Sequence, residues 1–321
     1  MLVEFPQVIA AQQAIAGAVH RTPIFSASQL GEPLGVSLWL KAELFQKTGS
    51  FKPRGALNRL RNTPREDLDR GLISASAGNH AQGLAWAARQ VGASCTVVMP
   101  ADASPAKAKA TRGYGAEVVL EGSMAEVFDT MRRIQEERGH VFVHPFDDPL
   151  VIAGQGTVGF EILEQVPEVD VIVCPLGGGG LISGIALAAK SVRPELRVYG
   201  VEPRGAAAMR RSWDEGRPVR LDSLDTIADG LASPMAGELT YPMTRRYVDD
   251  VIVLSDEEIL DGLTALLNYA KLYAEPAGAA ATAALLAGKV PLRRGETVVS
   301  VVSGGNFDLD RLGGVLNSLA G

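Results

Sequence analysis

Short runs of β-branched and other apolar residues recur along the chain, separated by alanine-rich stretches whose apolar positions repeat with helical spacing. Most runs end in Gly, Pro or Ser, which is the rhythm of βαβ units. Strands are predicted at 37–41, 94–99, 117–120, 169–175, 197–201, 250–254 and 297–302, and helices at 54–61, 81–91, 105–114, 124–138, 181–192, 256–272 and 277–286. Several strands, VDVIV and TVVSVV among them, are continuously apolar rather than alternating, as expected when helices cover both faces of a parallel sheet. The pattern predicts an α/β protein with doubly wound, mostly parallel sheets. Residues 67–148 read as a small set of strands and helices of their own, so two lobes with a cleft between them are expected.

Composition narrows the partners. The 321 residues are 46% hydrophobic and 21% charged, enough for a sizeable core and too long for a small binding module. Thirty-one Lys plus Arg against thirty-seven Asp plus Glu leave a net charge of −6, so no basic field attracts nucleic acid or an anionic membrane. Cys95 and Cys174 each sit in an apolar run, which predicts buried, reduced thiols and a cytoplasmic protein. The start MLVEFPQ lacks a basic segment followed by an apolar one, and no apolar stretch approaches the roughly 18 residues of a membrane span.

Four segments could carry chemistry. In GSFKPRGA (49–56), Lys52 lies at a turn beside a helix start, with Pro53 biasing it away from the helical region. A lysine partly desolvated there has a lowered pKa, suited to forming a Schiff base or acting as a base, although most lysines are simply exposed. In CPLGGGGL (174–181), four glycines between a strand and a helix let backbone amides converge on a phosphate. No window fits G-x-G-x-x-G/A, because Ile182 or Ser183 falls at the last position, and no Gly-Lys-Ser/Thr follows. Glu202, at the end of the next strand, mimics a ribose-binding acid and keeps a dinucleotide-binding oxidoreductase as a distant alternative. SASAGNH (74–80) offers hydroxyls and amides for a carboxylate; Asn79 could equally be an N-cap and His80 an interior histidine. Ser303, at the carboxyl end of TVVSVV, points to the crevice where α/β ligands bind, and Glu275 in EPAGA reads as a helix-start signal.

Taken together and in order, KAELFQKTGSFKPRGA (41–56), SAGNHAQG (76–83), VIAGQGT (151–157), PLGGGGLISG (175–184), IADG (227–230), EPAGA (275–279) and SGGN (303–306) resemble the fold-type-II pyridoxal-phosphate (PLP) enzymes, specifically the threonine/serine dehydratase and serine racemase group. The resemblance implies a two-lobed fold like that of the tryptophan synthase β-subunit. Residues 1–64 and 149–321 would form a large PLP-binding domain and 65–148 a small inserted one. It implies that Lys52 is the catalytic lysine that carries PLP, that Phe51 packs on the cofactor ring and that Asn79 bonds the ring hydroxyl. Gly177, Gly178, Gly179 and Gly180, with the Leu181 amide, would cradle the phosphate, and Ser303 would face the pyridine nitrogen. Ser76, Asn79 and His80 would receive the substrate carboxylate.

The implied reaction is α,β-elimination from a small β-hydroxy amino acid, giving a 2-oxo acid and ammonia, with Lys52 as the base at Cα. Racemases of this group place a second serine where this chain has Ala77, and a polar residue where it has Phe146; both differences favour the dehydratase over the racemase. The resemblance also suggests Mg²⁺ or another cation at Glu202, although Ala208 stands where a second carboxylate is expected. Lys47 and Thr48 match the racemase nucleotide contacts, whereas Ala27 and Gln29 depart from them. A homodimer is expected from the family. The chain continues only briefly beyond Asn306, so the C-terminal effector-binding domain of biosynthetic threonine dehydratases is not expected.

Overall fold

A strand that is apolar at every position needs a core on each side. The computed structural model, which describes residues 2–123 and 126–320, provides both. Ten strands form two sheets: β1 (Ile24–Ser26), β2 (Ser37–Ala42), β3 (Leu72–Ala75), β4 (Cys95–Met99), β5 (Glu117–Leu120), β6 (Val141–Phe142), β7 (Val171–Pro175), β8 (Arg197–Pro203), β9 (Asp250–Leu254) and β10 (Thr297–Val302). The six-stranded sheet has the order β1-β2-β10-β7-β8-β9, and the four-stranded sheet β5-β4-β3-β6. All pairs are parallel except β1 with β2. Successive residues serve opposite cores. Val171 and Val173 of β7 face one cluster with Val298 and Val302 of β10, while Ile172 and Cys174 face another with Val299 and Val301. The doubly wound α/β reading of the sequence holds.

Both cysteines are buried and free. Among the described residues no helix is long and apolar enough to cross a membrane. The predicted helix at 124–138 is found as Val127–Arg138; its expected start at Met124 and Ala125 lies outside the described residues. The helix expected at 256–272 ends earlier, at Ala265, and passes into a wider π turn, Leu266–Ala270, closed by Lys271 with φ 59°.

The longest described helix, Pro149–Gln165, is among those the pattern does not predict; Gly154, Gly156 and Gly159 lower its helical propensity. Each is required by close packing. A Cβ on Gly154 would lie 2.6 Å from the Gly55 Cα, and one on Gly159 would lie 2.9 Å from the Ile185 Cα. Glycine here lets this helix press against the helix Lys52–Arg61 on one side and Gly180–Val192 on the other.

Four buried charges lock these elements. Arg54 donates to both oxygens of Glu43, each at 2.8 Å, and to both oxygens of Glu161, at 2.6 and 2.9 Å. Lys41 Nζ donates to Glu161 at 2.6 Å, to Gln165 at 2.7 Å and to the Thr22 carbonyl at 2.9 Å. Two cations and two carboxylates make the group neutral, and Thr22 and Thr157 engage the remaining polar atoms. Burial works against the ionised Glu43, but the adjacent Arg54 outweighs it and holds the carboxyl below its usual range. Arg54→Met leaves Glu161 with Lys41 but strands Glu43 in the interior without a cation in contact, and should lower the unfolding free energy by about 3–5 kcal/mol, read from urea denaturation midpoints.

Candidate active site

The carboxyl ends of β2, β10 and β7 lie side by side, so the loops that follow them converge, as ligand loops do in open α/β sheets. The turn after β2 carries Lys52. It is stitched to the turn after β10: Phe51 donates its amide to the Ser303 carbonyl at 3.1 Å, and Gly305 donates to the Gly49 carbonyl at 2.9 Å. Lys52 is itself the first helical residue, not a turn residue as expected from Pro53. Proline is tolerated there because the amides of the first turn need no helical partner.

The Lys52 amine lies 2.9 Å from the Pro145 carbonyl and 5.1 Å from the Phe51 ring centroid. Among the described residues no carboxylate comes within ion-pair distance of it. Enclosure by protein pulls its pKa down to about 8, with the more distant charge of Glu275 opposing the shift. The helix Asn79–Val91 presses on the lysine from the side: a Cβ on Gly83 would lie 2.8 Å from the Lys52 Cβ. Beside the lysine, the hydroxyls of Thr48 and Ser50 are buried without a partner.

The glycine loop after β7 starts the helix Gly180–Val192, which has no side-chain cap. Among the described residues the amides from Gly178 to Leu181 donate to no protein acceptor, and this is the arrangement an anion needs. The loop is shaped from both sides. A Cβ on Gly178 would sit 2.4 Å from the Phe146 ring, and Gly179, at φ +91°, faces Thr240, whose hydroxyl donates to the Gly178 carbonyl at 2.7 Å. Phe146 follows Pro145, so one segment touches both the lysine and the glycine loop. His144, just before it, accepts the amides of Phe146 and Asp147 on Nδ1, which leaves its ring proton on Nε2.

Asn79 does not cap its helix; Gly78 occupies the cap position. Its side chain instead donates to Glu275 and accepts from Asn306 Nδ2 at 2.7 Å. Ser76 accepts the Gly78 amide at 3.3 Å within the same turn. His80 departs from the expected carboxylate role. Its Nε2 lies 3.3 Å from the Val143 carbonyl, and burial, with Lys52 nearby, drives its pKa well below the usual value. A neutral ring that donates to a backbone carbonyl cannot attract a carboxylate by charge.

Glu202 stands apart. Its oxygens accept the amides of Met209 and Arg210, both at 2.8 Å, at the start of the helix Ala208–Glu215, and burial pushes the carboxyl up to about 8. Among the described residues no three His, Cys, Asp or Glu side chains cluster as metal ligands. A divalent cation at Glu202 would need backbone carbonyls and water to complete its oxygen shell. The uncapped glycine helix, the enclosed amine and the orphaned hydroxyls do fit a phosphorylated, carbonyl-bearing cofactor.

Pro145, Gly83 and the carboxylate of Glu275 were not evident as site residues in the sequence. A glycine inside the otherwise strong helical pattern AQGLAWAARQ was the one available signal for a close approach.

A family model described as pyridoxal-phosphate dependent enzyme matches residues 15–304. The chain is 45% identical to the L-threonine ammonia-lyase of Thermotoga maritima over 98% of its own length and 79% of that protein. It is 41% identical to the catabolic L-threonine dehydratase of Escherichia coli K12, over 97% and 95% of the two chains. Among solved structures it resembles maize serine racemase, with a TM-score of 0.93 and 38% identity over 100% and 98% of the chains. It also resembles the processed form of threonine deaminase isoform 2 from Solanum lycopersicum, with a TM-score of 0.90 and 35% identity over 98% and 86%.

Enclosing the Lys52 ammonium destabilises the cofactor-free fold. With the folded pKa near 8 and the unfolded one near 10.5, the penalty is complete below pH 8 and disappears as the pH rises past 10.5. Lys52→Met should therefore stabilise the cofactor-free protein at pH 7 by up to about 3 kcal/mol, with the advantage shrinking toward pH 10, as measured by urea unfolding at the two pH values.

Proposed function

The chain belongs to the pyridoxal-phosphate-dependent enzymes, and from that premise we propose that it is a threonine/serine ammonia-lyase, converting a small β-hydroxy amino acid to a 2-oxo acid and ammonia. The observation that carries the reading is Lys52, whose amine of lowered pKa is held at a helix start with no carboxylate among the described residues paired to it. The 45% and 41% identities to L-threonine ammonia-lyase and dehydratase support the substrate class.

The assigned roles follow from position. Lys52 would attach the cofactor and Phe51 would lie against its ring; Gly177 to Leu181 would hold the phosphate with their amides, and Asn79 and Ser303 would engage the ring hydroxyl and nitrogen. When bound, PLP supplies an electron-withdrawing ring that acidifies the α-hydrogen of an attached amino acid. Lys52 would take that proton on Nζ. An amine with pKa near 8 is substantially neutral at mildly alkaline pH and needs little rearrangement to accept it. The Pro145 carbonyl, 2.9 Å away, holds the amine in place. Ser76 and the first-turn amides of the helix that begins at Asn79 receive the carboxylate, without help from charge on His80. Ser303 is neutral and favours loss of the β-hydroxyl over deeper electron withdrawal.

The proposal includes a homodimer in the cytoplasm, for which the two buried free cysteines are suitable. A racemase is the second reading, favoured by the TM-score of 0.93 to maize serine racemase. Ala77 opposes it, since a methyl group cannot return a proton to the second face of Cα.

Incubation with each enantiomer of serine and threonine should yield 2-oxo acid from the L forms, with little D-serine by chiral chromatography. Lys52→Ala should remove both the turnover and the borohydride-sensitive visible absorbance. D-serine forming faster than pyruvate would establish the racemase instead.

A further inference from the structure

Glu275 stands where it could cap its own helix, Pro276–Leu286, and it makes no such bond. Its Oε1 accepts instead from Asn79 Nδ2 at 2.5 Å. Asn79 Oδ1 accepts from Asn306 Nδ2 at 2.7 Å, and the same nitrogen donates to the Thr48 carbonyl at 2.7 Å. The polarity of this chain is fixed at both ends, by the Thr48 carbonyl and by the Glu275 carboxylate. A carbonyl can only accept, so Asn306 turns its NH₂ group toward Thr48 and Asn79 and commits both hydrogens. Asn79 must meet it with oxygen, which turns its own NH₂ toward Glu275. A flipped Asn79 would set oxygen against carboxylate and NH₂ against NH₂.

The loops close tightly around this arrangement. A Cβ on Gly304 would lie 2.4 Å from Glu275 Oε1 and 3.2 Å from Asn79 Nδ2, and Glu275 donates its amide to the Gly304 carbonyl at 3.1 Å. Burial moves the Glu275 carboxyl up to about 7; the bond from Asn79 and the charges of Lys107 and Lys52 favour ionisation, and Asp229 opposes it. An ionised acceptor makes the stronger bond to the amide.

We propose that Glu275 is a positioning residue of the active site that acts through Asn79, fixing the carboxamide so that its second N–H is free for the crevice that holds Lys52. The inference rests on the assignment of Asn79 as a cofactor contact, and it identifies what orients that contact.

The test is titration of the cofactor-free wild type, E275Q, E275A, N79A and the E275A/N79A double variant with PLP, followed by visible absorbance. Losing a hydrogen bond to a charged partner should weaken PLP binding by E275A about tenfold, whereas E275Q, whose amide oxygen still accepts, should stay within about threefold. In the N79A background E275A should add no further loss. Wild-type affinity in E275A, a loss in E275Q as large as in E275A, or an undiminished effect of E275A without Asn79 would each overturn the proposal. If E275A does not fold, E275D takes its place, since withdrawing the carboxylate by one methylene should also weaken binding while E275Q does not. Failure of the wild type to bind PLP would instead overturn the functional reading.

Discussion

The site depends on a neutral quartet of buried charges. Lys41, Glu43, Arg54 and Glu161 come from β2, the turn after it, the lysine-bearing helix and the helix Pro149–Gln165, and none can move without stranding another. Such groups contribute little net stability compared with apolar residues of the same shape; their effect is to permit only one arrangement. Arg54 lies two residues after Lys52, so the backbone that carries the reactive amine is fixed by electrostatics on one side and by the Ser303 turn on the other. The amine itself is left without a counter-charge in contact.

That asymmetry explains the glycines. A freely reactive lysine must be surrounded closely enough to lose water but not by groups that neutralise it. Backbone brought to van der Waals distance does this, and Gly83, Gly178 and Gly304 allow it at the lysine, the glycine loop and the Asn79 contact. Each removes a side chain where two segments meet. The fold accepts a less stable empty site in return for a preorganised one.

Much of this was legible in the sequence, for identifiable reasons. Continuous apolar runs specify doubly covered strands, so β7 and β10 were readable, whereas the three-residue β1 and two-residue β6 are too short to show a period. The motif order singles out Lys52, the glycine loop, Asn79 and Ser303, and the sheet order sets the loops of Lys52, the glycines and Ser303 side by side. Glu275 looked like a helix start, since its partner Asn79 is 196 positions away and pairing over that distance leaves no local trace. His80 and Glu202 were assigned by motif position. Their hydrogen bonds to Val143, Met209 and Arg210 depend on tertiary placement, which a motif does not encode.

The position of β10 has a consequence for biosynthesis. It is the last strand in the described chain, yet it lies in the interior of the six-stranded sheet, between β2 and β7. As the polypeptide leaves the ribosome, β2 and β7 must wait with open edges until residues 297–302 arrive, and the turn that anchors Phe51 is completed only then. Unpaired parallel edges of this kind are slow to close and prone to mispairing. The nascent chain therefore exposes these edges until residues 297–302 have been made, and a truncation just before β10 would remove the middle of the sheet.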